Sequence, residues 1–175
     1  MHKLYGKCTV LMVAALIMSN AKIDSEMGSG SLMAQSAMVT VKEYRMTSNS
    51  QQDAEMTNAA TRAVIDRFNE AFNRHDLDAL ANLLTDDTVF EDTSPAPDGR
   101  RIEGKPAVIA FWREWFLRNA DAHFDSEEVI VSGDRAVVLW IYRKMRNGQP
   151  WHLRGVDVFR VRDGKVAAKL AYVKG

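Results

Sequence analysis

Apolar positions recur with a helical period over residues 60–74, where Val64, Phe68, Ala71 and Phe72 fall on one stripe. The pattern breaks at His75, and Asp76 is placed to cap a second helix whose apolar face is Leu77, Leu80 and Leu84. DDTVFED (86–92) reads as a short strand, followed by a loop punctuated by Pro95, Pro97, Gly99 and Gly104. A third helix over 105–119 has Pro106 in its first turn and carries the stripe Val108, Phe111, Trp112, Trp115, Phe116. Four strands then follow, at about 122–131, 135–146, 150–162 and 165–173. Their separators include NGQ and RDGK, and Asn-Gly and Asp-Gly pairs are strong hairpin signals. Helices followed by strands predict an α+β domain over 57–175, with three N-terminal helices packed on a curved, mainly antiparallel sheet around an apolar interior. The partner of the strand at 88–92 does not follow from the pattern; an edge position is one candidate.

Within 150–162, residues two apart share a side. Trp151, Leu153, Asp157, Phe159 and Val161 form the apolar side, with a carboxylate in its middle; His152, Arg154, Val156, Val158, Arg160 and Arg162 form the other. No basic residue of that strand shares Asp157's side, so desolvation favours its neutral form, which can donate a hydrogen bond. In TVFED, Thr88, Phe90 and Asp92 share a side, which places Asp92 at the mouth of the same interior if Phe90 is buried. Partial exposure keeps Asp92 ionised, as a general base must be. Two carboxylates in unlike surroundings can divide acid and base roles between them. The bland alternatives are a structural Asp157 bonded to a Trp N–H or free backbone donors, and an Asp92 that caps the turn at DTSP.

The element order over 57–175, with the strings FNRHDLDALANLLTDDTVFED, RIEGKPAVIAFW and GVDVFRVRDGKV, resembles the NTF2-like superfamily, particularly its SnoaL-like and ketosteroid-isomerase-like branch. The resemblance implies a cone-shaped NTF2-like fold with an apolar pocket for a small molecule. It sets Asp92 where steroid isomerases keep their proton-transferring base and Asp157 where they keep the protonated acid of the oxyanion hole. Phe68 falls where the family has a tyrosine, and loss of one such donor typically costs about two to three orders of magnitude in rate. Trp112 matches an aromatic position facing the family's cavity, and its indole N–H can donate. Tyr142 is another donor candidate if its side of the strand faces inward. Trp151 and Phe159 complete the expected substrate-binding set. The epoxide-hydrolase branch needs aspartates that IYRKM and KLAYV lack. Family dimers pack through the outer sheet face, here His152, Arg154, Val156 and Val158. The implied activity is cofactor-free proton transfer (isomerisation, cyclisation or elimination) on a small apolar carbonyl compound. The alternative is a non-catalytic ligand-binding or dimerisation module, since fold does not fix function.

Composition narrows the partners. The 23 basic and 23 acidic side chains balance, which gives no support for nucleic acid or an anionic membrane as partner. One cysteine, Cys8, permits no intrachain disulfide or Cys-rich metal site, and the four histidines lack metal-ligand spacing; the proton-transfer chemistry that the resemblance implies calls for no metal or organic cofactor. Eight of nine methionines lie in residues 1–56, where no sustained period is found. Residues 1–21 have the parts of a secretory signal: Lys3 and Lys7, the apolar run Cys8–Met18, and small residues at Ser19–Ala21. Export would make the protein periplasmic or secreted; the alternative is a later start, at Met56 or another methionine, and a cytoplasmic protein. Residues 22–56 read as a disordered leader. Cleavage after Ala21 predicts Lys22 as the mature N-terminus, which N-terminal sequencing of the native protein checks.

Overall fold

The computed structural model describes residues 30–174; the export segment lies outside them. The chain separates into two units, Met1–Asn49 and Ser50–Gly175. Helix α1 runs Gly30–Asn73, so the leader expected over 22–56 is helical from Gly30 onward. Its described side chains before Thr61 are almost all exposed. The described side chains there form no buried face, in keeping with the lack of a hydrophobic period; Ala, Met, Glu, Gln and Lys favour the helix by propensity.

In the second unit, the end of α1 buries Thr61, Val64, Ile65, Phe68 and Ala71. Helix α2 (Leu77–Leu83) starts at Asp76, whose side chain accepts from the Ala79 N–H at 2.9 Å. Helix α3 (Lys105–Arg118) has proline in its first turn and buries Val108, Trp112 and Phe116.

Six strands form one sheet in the order β2-β1-β6-β5-β4-β3. They are β1 (Leu84–Glu91), β2 (Arg101–Glu103), β3 (His123–Ser132), β4 (Arg135–Arg146), β5 (Gln149–Arg162) and β6 (Lys165–Val173). Every neighbouring pair is antiparallel except β1 and β6, which run parallel. Strand β1 is therefore internal, and the short β2, hidden in the expected loop, takes the edge. The last two hairpins turn at Asn147–Gly148 and Asp163–Gly164, all four residues with positive φ, as two-residue primed turns require.

The inner face is set by register. Trp140 faces Gly155, Tyr142 faces Leu153, Val138 faces Asp157, and Phe159 faces Lys169. A Cβ on Gly155 would lie 2.4 Å from indole carbons of Trp140 and 2.3 Å from the Tyr172 carbonyl oxygen, so the missing side chain makes room for Trp140 to lie across the strand. Gly155→Ala is expected to cost about 1–3 kcal/mol through overpacking. Thermal denaturation followed by circular dichroism should show a lower Tm than the parent protein.

Candidate functional site

Between the helices and the inner face of the sheet lies a cavity of about 220 Å³. Helix α3 contributes Phe111, Trp112 and Trp115; the sheet contributes Phe90, Phe124, Trp140, Tyr142 and Leu153. The polar residues on its wall include Asp92, Asp157, Lys169, Asn119 and Lys144. The apolar walls follow from the two periods read in the sequence: every third or fourth residue of α3 and alternate residues of the strands.

Asp157 is 5 % exposed and Lys169 is 9 % exposed. The Lys169 Nζ lies 2.8 Å from Asp157 Oδ2. Three rings surround the same nitrogen, with centroids at 5.2 Å (Phe90), 5.8 Å (Phe159) and 6.0 Å (Phe72), within cation–π range. Thus the condition for a neutral Asp157, no cation on its side, is met within β5 but not in the folded sheet. The cation arrives from β6, the strand that pairs with β5.

Lys169 points inward because β6 is bulged. Phe159 pairs with Lys169 and Arg160 with Ala168, but Val161 pairs with Val166, leaving Ala167 extra. Val166 and Lys169 are an odd number apart and both buried, which strict alternation forbids. From the sequence, a buried Val166 would put Lys169 on the outer side; no local signal marks the bulge.

Asp92 follows β1 directly, two residues beyond Phe90, and Phe90 pairs with Lys169. Its N–H donates to the Arg100 carbonyl at 2.9 Å, and its Oδ1 accepts from the Thr93 N–H at 2.8 Å. One carboxylate oxygen thus does cap the turn, while the residue still lines the cavity. Gly99 permits the loop to fold back this tightly: its φ is 77°, and a Cβ there would lie 1.7 Å from the Asp92 carbonyl oxygen.

The other expected residues divide. Trp112 lines the cavity, is buried, and its Nε1 has no partner among the described residues. Tyr142 faces inward, but its hydroxyl donates to Asn119 Oδ1 at 3.1 Å. That oxygen also accepts from Lys144 Nζ at 3.0 Å. Burial, then the negative charge of Asp121, pushes the Tyr142 phenol up to about 12. Phe68 and Phe159 are corrections: neither lines the cavity. Their rings pack at 5.4 Å from each other, and Phe68 lies 5.6 Å from Trp112, so they form the core beneath it. Trp151 is a further correction. It has the expected parity but sits near the strand's start, opposite Lys144, and lines a separate, more open hollow with Pro150, Met145 and Arg143. Leu153, two residues on, takes the place expected of it.

Comparison with known proteins gives a consistent picture. Residues 65–169 match the SnoaL-like domain family. No curated protein matches the chain. Among solved structures, an NTF2-like protein of unknown function from Mesorhizobium loti is 37 % identical, with TM-score 0.60, covering 67 % of this chain and 93 % of that one. A protein proposed to be a polyketide cyclase from Sinorhizobium meliloti is 24 % identical, with TM-score 0.53, covering 63 % of this chain and 94 % of that one. One proposed to be a ketosteroid isomerase from Kribbella flavida is 21 % identical, with TM-score 0.58, covering 67 % of this chain and 80 % of that one.

Burial raises the pKa of Asp92 above its ordinary 3.8; the Thr93 N–H and the charges of Lys169 and Arg100 oppose the shift without cancelling it. A raised folded-state value means that the folded chain holds this proton more tightly than the unfolded chain. The ionised side chain therefore costs stability at neutral pH, a cost removed as pH falls through the raised value toward 3.8. Asp92→Asn, which keeps an oxygen for the Thr93 N–H, is expected to raise Tm at pH 7. Melting curves across pH should show that gain shrinking toward zero below about pH 4, where aspartate is neutral folded or unfolded.

Proposed function

The chain belongs to the SnoaL-like domain family, a fold that hosts more than one activity, and from its own cavity we propose that it catalyses cofactor-free proton transfer on a small apolar carbonyl compound. The carrying observation is the pairing of a half-buried, hard-to-ionise Asp92 with a buried polar group, Asp157 with Lys169, in one aromatic-walled cavity. Asp92 removes a proton from the carbon next to the carbonyl. The charge that develops on the carbonyl oxygen lies toward the Asp157–Lys169 end. Return of the proton at another carbon gives isomerisation; ring closure or loss of a leaving group gives cyclisation or elimination. A raised pKa suits the base, because a carboxylate that holds protons more tightly removes them more readily. The aromatic walls select an apolar body and exclude water, which strengthens the electrostatic terms. Neither metal nor organic cofactor is required for these steps.

The test is exchange of α-protons of small cyclic enones and 1,3-diketones in heavy water, followed by NMR. The parent protein should exchange them, and Asp92→Asn should slow exchange by at least about 100-fold, the lower range for a positioned base. The rate should fall on the acid side with an apparent pKa above 3.8, since Asp92 must be ionised to act. Binding of these compounds with no exchange at any pH, and affinity unchanged in Asp92→Asn, would instead identify a ligand-binding module.

A further inference from the structure

We propose that Lys169 is the group in this cavity that receives a developing oxyanion, with Asp157 as the residue that positions it. The ligands this fits are those whose oxygen gains charge beside an apolar body, enolates and phenolates. The inference deepens the reading above and rests on the same cavity being the site.

Elimination of rival donors leads to Lys169. Phe68 carries no donor. The Tyr142 hydroxyl donates its one proton to Asn119 Oδ1; the Lys144 ammonium donates to the same oxygen and is less buried than Lys169, so solvent screens its charge more. Trp112 and Trp140 each offer one neutral N–H, unpartnered among the described residues, which gains less from a negative oxygen than an ammonium does. Lys169 lines the cavity and has three donor protons, and Asp157 is the one carboxylate within ion-pair reach of it among the described residues. The rings of Phe90, Phe159 and Phe72 hold the ammonium without supplying an oxygen acceptor. An oxygen that becomes anionic gains more from such a cation than a neutral carbonyl does, and this difference is what lowers a barrier.

Charge also balances across the step. Asp92 enters the step as a carboxylate, and the Asp157–Lys169 pair keeps its protons throughout. Afterwards Asp92 carries the substrate proton and the enolate carries the negative charge. The total is unchanged; one negative charge has moved from Asp92 to the substrate oxygen beside Lys169. Asp157 on β5, Asp92 and Arg100 flanking the loop after β1, and Lys144 on β4 are the other charged groups near it; α3 contributes aromatic residues to this wall.

Titration of bound 4-nitrophenol by its visible absorbance tests the assignment on the whole chain without requiring turnover. The parent protein should bind the phenolate in preference to the phenol, lowering the probe's pKa by about one unit, a tenfold preference. Lys169→Met should abolish or reverse that preference. Asp157→Asn should increase it, because the ammonium loses its counter-ion. The inference is overturned if the parent binds no phenolate, or if Lys169→Met leaves the bound probe's ionisation unchanged. It is equally overturned if Asp157→Asn weakens the preference, which would make Asp157 itself the donor. Should Lys169→Met fail to fold, the opposite signs expected of Asp157→Asn decide the matter alone. Absence of α-proton exchange together with a phenolate preference set by Lys169 would overturn the proton-transfer reading and leave this one standing.

Discussion

The ion pair between Asp157 and Lys169 is the constraint on which the rest of the cavity depends. Both side chains are buried, and neither could be so alone without losing several kcal/mol of hydration. Each is therefore the condition for the other. Their meeting needs the bulge at Ala167, which turns Lys169 inward, and the antiparallel register that sets it diagonally from Asp157. It also needs the rings of Phe72, Phe90 and Phe159, which give the ammonium a favourable surface as it leaves bulk water. A hydrophobic pair of similar volume could fill the same space at no loss of stability. A pair retained at the wall of a cavity is therefore better understood by what it offers a ligand than by what it adds to folding.

The parallel pairing of β1 with β6 supplies the second carboxylate. It aligns Phe90 with Lys169 and so delivers Asp92 to the same cavity just as the chain leaves the sheet. The loop then folds back onto Asp92 through Gly99, which holds the carboxylate partly dry rather than free in solvent. Lys169 thus has one carboxylate on each side, one locked against it and one more exposed. The two aspartates of the cavity thus stand in unlike surroundings, one paired with a cation and buried, the other partly exposed and bonded to a backbone N–H.

The aromatic cluster connects architecture to chemistry. Phe68 packs edge to face on both Trp112 and Phe159, so the cavity wall at Trp112 rests on a packed core. Phe68 stands where the family resemblance implies a tyrosine, and there it is a core residue. The hydroxyl lost at that position has no replacement from Tyr142, which is committed to Asn119. The cation that shares the cavity wall comes instead from β6, as Lys169.

Much of this was legible in the sequence. Helical spacing marked Val64 and Phe68 on one apolar stripe and Trp112 and Phe116 on another; Asn147–Gly148 and Asp163–Gly164 marked the hairpins; alternation set Asp157 among the apolar residues of its strand and Asp92 on the same side as Phe90. Each of these follows from geometry that repeats within a few residues, so a single segment carries the information. What the tertiary structure alone decided is which segment meets which. The internal, parallel place of β1, the depth that gives Leu153 the cavity and leaves Trp151 in the outer hollow, and the single extra residue in β6 that brings Lys169 to Asp157 all depend on pairing between distant strands. Alternation tells which face a residue occupies only while the register is unbroken; one bulge reverses it, and nothing local in KVAAKLAYV announces where that happens.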